Sequence, residues 1–134
     1  MRHLEFDLLL VRIVRIIRNL REFKQLPIAI DLDTSISSYS RIEKGETPIT
    51  PGRLEIIANA IKVTSDELRA LTRIAMELTN NNCTLNEALA KIPLMFPQRN
   101  ELNKIKEPEL AFIITRFSLT KNYSQKEFNS LDII

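Results

Sequence analysis

Apolar residues recur at spacings of three and four along most of this chain, and each such run predicts a helix. Leu10, Ile13, Val14, Ile17 and Leu20 lay one stripe along a helix over residues 7–22. Leu9, Val11 and Ile16 widen it beyond what one small core needs. A short second helix is predicted over 25–32, with Ile28, Ala29 and Leu32 on its buried side. Pro27 fits its first turn, where the backbone amide has no helical partner. Asp33-Thr34-Ser35 breaks the run. Ser35 is expected to cap a third helix over 36–44, with Thr34 as the alternative cap. Tyr39 and Ile42 then face inward, Ser37, Ser38 and Arg41 outward, and Gly45 is the stop.

The pattern continues beyond that point. Thr50 and Pro51 open a fourth helix carrying Leu54, Ile57, Ala58 and Ile61. Thr64 and Glu67 have capping-box spacing and open a fifth, reaching Leu78. Asn80-Asn81-Asn82 marks a break, and Thr84 with Glu87 opens the next element. Pro93 and Pro97 are expected to end it, and residues 98–107 to be mostly irregular. Pro108 starts a run in which Leu110, Ile113, Ile114 and Phe117 share a helical face. The β-branched and aromatic content of FIITRFSL also admits a strand, and helix is the preferred reading. Ser124 and Glu127 cap a short terminal helix with Phe128 and Leu131.

Composition narrows the class without naming a chemistry. With 134 residues, 44% hydrophobic and 27% charged, the chain can build a real core. A net charge of +2 permits nucleic-acid binding but argues for it weakly. Charge is spread evenly, with eleven basic and ten acidic residues in 1–71 and eight and seven in 72–134. One cluster stands out: Arg12, Arg15, Arg18, Arg21 and Lys24 oppose only Glu22. The four arginines step by three around the surface opposite the stripe. They read either as a solvated basic face or as groups placed beside phosphates. Cys83 is the single cysteine, so no intrachain disulfide forms. The N-terminal apolar run is short and carries Glu5 and Asp7, so no export signal is expected and a cytoplasmic location is the default. His3 reads as solvent-facing, with no metal and no cofactor implied.

The segment QLPIAIDLDTSISSYSRIEKG, Gln25 to Gly45, carries the most specific signal. Two short helices joined by a tight turn can lay the second in the DNA major groove. Ile36, Ser37, Ser40 and Arg41 are its outward positions. Arg41 suits guanine acceptors or a phosphate, while Ser37 discriminates weakly between base edges. Ile36 suits either a thymine methyl or a contact within its own domain. Gln25 opens the second helix where backbone amides meet phosphate, and Lys24 and Lys44 supply charge. Glu46 opposes it. No paired carboxylates with a supporting histidine, no cysteine–histidine set and no phosphate loop point to an enzyme.

Residues 13–71 resemble the phage-repressor and Cro family of helix-turn-helix proteins. The resemblance rests on Arg18, Gln25, Ala29, Leu32 and Ser35, the closing run Arg41, Ile42, Glu43 and Gly45, and then Leu54, Ala58, Ile61, Val63, Thr64, Glu67 and Leu68. Asp33 stands where the family commonly has glycine, Tyr39 where it has an aliphatic residue, and the reading helix is serine-rich. The resemblance implies an all-α fold with a five-helix lambda-repressor-like domain. It implies sequence-specific binding of double-stranded DNA, usually as a symmetric homodimer in transcriptional control. It also implies that Glu43 pairs with Arg18 and braces the third helix against the first.

The domain is expected over 7–78, followed by a helical extension over 79–134 that dimerises or meets a protein partner. DNA-binding roles are expected for Lys24, Gln25, Ser35, Ile36, Ser37, Ser40, Arg41 and Lys44. The competing readings are a protein-interaction module on a degenerate helix-turn-helix scaffold, and a DNA-binding antitoxin or accessory regulator. No membrane partner is expected.

Overall fold

The computed structural model describes residues 4–95 and 104–131, and among these all regular structure is helical. The helices are α1 (Leu4–Leu20), α2 (Gln25–Asp31), α3 (Ile36–Glu43), α4 (Pro51–Ala60), α5 (Ser65–Thr79), α6 (Leu85–Ala90), α7 (Ile92–Met95), α8 (Glu107–Thr120) and α9 (Gln125–Ser130). His3, Pro97 and most of the 98–107 segment lie outside the described residues.

The starts of these helices follow from their capping chemistry. Ser35, Thr50, Thr64, Thr84 and Ser124 each accept a backbone amide three residues on. Thr64–Glu67, Thr84–Glu87 and Ser124–Glu127 are reciprocal capping boxes. The ends are equally regular. Glu22, Asp33, Gly45, Lys62 and Asn81 adopt positive φ just past α1 to α5. At Asp33 the φ is 55°, its amide bonds the Ile30 carbonyl, and the Thr34 amide reaches Ala29. That is a Schellman end, and aspartate tolerates the left-handed turn expected of a glycine there.

Two sequence expectations are resolved by packing. Pro93 does not end a helix. α6 stops at Ala90, and Pro93 occupies the first turn of α7, where its missing amide costs nothing. The FIITRFSL segment is helical. α8 packs against α1, α5, α6 and α7, burying Leu110, Ile113, Ile114 and Phe117 at helical spacing.

α1 runs through the middle, against α3, α5 and α8. Its wide stripe is explained by that position: Leu9, Leu10, Ile13, Val14, Ile16 and Ile17 all enter one core. The same core takes Tyr39 and Ile42 from α3 and Ile105, Leu110 and Phe128 from the second half. Glu67 ties the halves together. Buried, its carboxylate accepts the Thr64 amide at 3.0 Å and the Ile105 amide at 2.8 Å.

Candidate nucleic-acid interface

α3 sorts its residues cleanly into two sides. Tyr39, Ile42 and Glu43 are buried, while Ile36, Ser37 and Arg41 are exposed and Ser38 and Ser40 half-buried. Ser35 fixes where the helix starts. Its hydroxyl accepts the Ser38 amide and donates to the Ser38 hydroxyl, both at 3.0 Å. Arg41 leans along the helix toward the Ser38 hydroxyl at 3.3 Å. Lys24 and Lys44 flank this face, both exposed. Gln25 is half-buried at the start of α2, with its amide 3.4 Å from Glu43.

Glu43 is the anchor of the inner side. Both carboxylate oxygens receive the Arg18 guanidinium, at 2.9 and 2.7 Å. Burial lowers the Arg18 proton affinity, but the hydrogen bonds and charge of Glu43 outweigh it, so its pKa lies above the ordinary arginine value. The neighbouring Tyr39 phenol is pushed far upward, by burial first and then by Glu43, and stays neutral. Gly45 closes α3 at φ 79°, its Cα side facing Leu8 of α1. α3 is therefore held to α1 at its C-terminal end, through Glu43, its last residue, and by the approach of Gly45 to Leu8.

The arginine ladder of α1 is neither a solvated face nor a phosphate-facing one. Each arginine reaches backbone carbonyls at or near the ends of helices. Arg12 donates to the carbonyls of Thr120, the last residue of α8, and of Tyr123 beyond it, and to Gln125 Oε1 at 3.0 Å. Arg15 donates to the carbonyls of Phe128 and Leu131 at the end of α9. Arg18 adds the Phe23 carbonyl just past α1, at 3.0 Å. Arg21 takes the Ile61 and Lys62 carbonyls at the end of α4, the Lys104 carbonyl, and Glu109 through two bonds of 3.1 and 3.0 Å. The physical reason is a match of inventories. A guanidinium has five donors, and each helix end leaves carbonyls without partners and carries negative dipole charge.

With those cations committed, the charge near the reading face comes from few groups. Over residues 24–47 the cations are Lys24, Arg41 and Lys44, and the anions are Asp31, Asp33, Glu43 and Glu46. Glu43 is neutralised by Arg18, which leaves three charges of each sign. Affinity for DNA then rests on where Lys24, Arg41 and Lys44 sit more than on net charge.

Two contacts at this site have no signal in sequence spacing. Gln125 Nε2 and Asn129 Nδ2, both on α9, donate to the Lys44 carbonyl at 3.4 and 3.3 Å. They lie 81 and 85 residues from their acceptor. The surplus apolar face of α1 was the only hint that the second half reaches this region. Among the described residues no group of histidine, cysteine and carboxylate side chains is disposed to hold a metal ion. No helix among them is long and apolar enough to cross a membrane.

Comparison with known proteins agrees with this geometry. A family model described as Helix-turn-helix matches residues 14–68, which span α2, α3, α4 and parts of α1 and α5. No curated protein and no solved structure matches the chain. The matched module binds DNA and is not catalytic. Residues 14–68 of this chain are a helix-turn-helix DNA-binding domain of the phage-repressor and Cro type.

Proposed function

We propose that the protein is a sequence-specific regulator that reads double-stranded DNA by placing α3 in the major groove. The observation that carries this reading is the division of α3 within the matched domain. Its inner side is locked by Tyr39, Ile42 and the Arg18–Glu43 pair, and its outer side presents exposed Ile36, Ser37 and Arg41, with Ser40 half-buried beside them. Arg41 is the discriminating residue and Ser37 and Ser40 are auxiliary, because only the guanidinium offers a bidentate match to guanine. Lys24, Gln25 and Lys44 take phosphates beside the groove, and Ser35 sets the helix start. The setting is cytoplasmic.

The working form is a homodimer, since paired half-sites let a small helical reader gain specificity. Phe112, Leu119 and Tyr123 support this by standing exposed along the outer side of α8 and the turn after it. A role as a repressor fits the domain type. The protein-interaction reading draws on a different observation: Leu26 and Ile30 are exposed one turn apart on α2, at 51% and 65%. One experiment separates the two. Selection of bound duplexes from a random pool, beside a native mass, enriches a symmetric site bound by two copies if the DNA reading is right. A pool that stays unenriched refutes it.

A further inference from the structure

We propose that Gln125 and Asn129 on α9 are positioning residues for the reading helix. They fix the C-terminal end of α3 and make DNA discrimination depend on a segment outside the helix-turn-helix domain. The functional arm of this inference rests on the DNA-reading conclusion; the structural arm does not.

The contact is made at the C-terminal end of α3. Lys44 is its C-cap residue, and its carbonyl is one of the acceptors a helix end leaves unsatisfied. The Gly45 and Glu46 amides turn back to Ile42 and Arg41, so the closing turn satisfies carbonyls further up the helix. The Lys44 carbonyl instead receives two side-chain amides from α9. The amides form a directed relay. Arg12 donates to Gln125 Oε1 at 3.0 Å, Gln125 Nε2 donates to Asn129 Oδ1 at 3.2 Å, and both amides then donate to Lys44. Their orientation is determined by the two ends. A guanidinium only donates and a carbonyl only accepts, so neither amide satisfies both neighbours if flipped.

α9 is itself held firmly enough to act as a strut. Phe128 is fully buried beneath two guanidiniums, with Arg12 at 4.5 Å and Arg15 at 5.2 Å from its ring centroid. Arg15 also caps the far end of α9 through the Phe128 and Leu131 carbonyls. The strut therefore runs from α1, through α9, to the residue that ends α3. Exposed Arg41 lies one turn before that residue, so any loosening at Lys44 moves the side chain assigned to discrimination.

The test uses the full chain and neutral, similar-sized replacements. In Asn129→Leu and in the Gln125→Met/Asn129→Leu double variant, affinity for the selected duplex should fall about threefold and about tenfold. Affinity for a scrambled duplex should not change. A second arm needs no DNA: hydrogen exchange at the Lys44, Gly45 and Glu46 amides should speed up several-fold, with α4 and α5 unchanged. Gln125→Glu, which keeps the acceptor for Arg12 but loses the donor to both Asn129 and Lys44, should speed that exchange at least as much. Unchanged exchange and unchanged duplex preference overturn the proposal, as does an equal loss on both duplexes. If the wild-type protein selects no duplex, the DNA-reading conclusion fails, and the exchange arm alone decides this one.

Discussion

Replacing Glu43 with glutamine should be among the most damaging single-atom changes available in this protein. The carboxylate is 3% exposed and its partner Arg18 is 11% exposed, so neither is rescued by water. Removing one member of a buried pair typically costs 3–5 kcal/mol, because the other charge stays buried without compensation. Arg18 keeps the Phe23 carbonyl, which places the expected loss at the low end, about 3 kcal/mol. For a chain of this size that corresponds to a fall in melting temperature of roughly 10 °C. The double variant Arg18→Met/Glu43→Met should be less destabilised than either single change, since apolar replacement of both partners leaves no stranded charge. Urea denaturation of wild type, Glu43→Gln, Arg18→Met, Glu43→Met and the double variant measures this directly. A loss below about 1 kcal/mol for Glu43→Gln, or a double variant no better than the singles, would refute the claim that this pair anchors α3.

Arg41→Ala should leave the fold intact and weaken discrimination at one base pair by roughly 1–3 kcal/mol, read by titrating a panel of single-substituted duplexes; a uniform loss with a lower salt slope would reassign Arg41 to a phosphate. Glu67→Gln should cost about 1–3 kcal/mol by chemical denaturation, because the two carboxylate oxygens accept from Thr64 and Ile105 separately and an amide NH2 in place of one of them can only donate. Glu109 titrates below the ordinary carboxylate range: burial raises it, but the Arg21 hydrogen bonds and charge and the Lys106 amide lower it further. Its stabilising effect is therefore complete above its unfolded value of about 4.3 and disappears as pH falls through the lower folded value. Thermal melts of Glu109→Gln against wild type should differ at neutral pH and converge in acid; a constant difference would show that the Arg21 contact is not charge-dependent.

Local chemistry was well legible in this chain. Ser35, Thr50, Thr64, Thr84 and Ser124 cap their helices because a short oxygen at the right offset meets a free amide, and nothing distant is required. The two sides of α3 were legible for the same reason, since helical spacing assigns them. The partners of Arg12, Arg15 and Arg21 were not. Their acceptors are mainly backbone carbonyls, which every residue carries, so side-chain patterning holds no trace of them. Arg18 was the exception, because the family resemblance supplied Glu43 as a specific partner. Pro93 shows the limit of reading proline as a terminator: the same missing amide suits a first turn as well as it ends a helix. The contact of Gln125 and Asn129 with Lys44 depends on α9 folding back over α1, which no local spacing encodes.

The most direct test of the central claim is the affinity of the protein for its selected duplex and for a scrambled one, measured across a salt series. A reader that uses α3 for bases and Lys24, Gln25 and Lys44 for phosphates should hold a preference for the selected duplex at every salt concentration. Both affinities should fall linearly on a log–log scale, with a shallow slope of roughly two to four, as few phosphates are neutralised per protomer pair. Equal affinity for the two duplexes, or binding that does not respond to salt, would contradict the account.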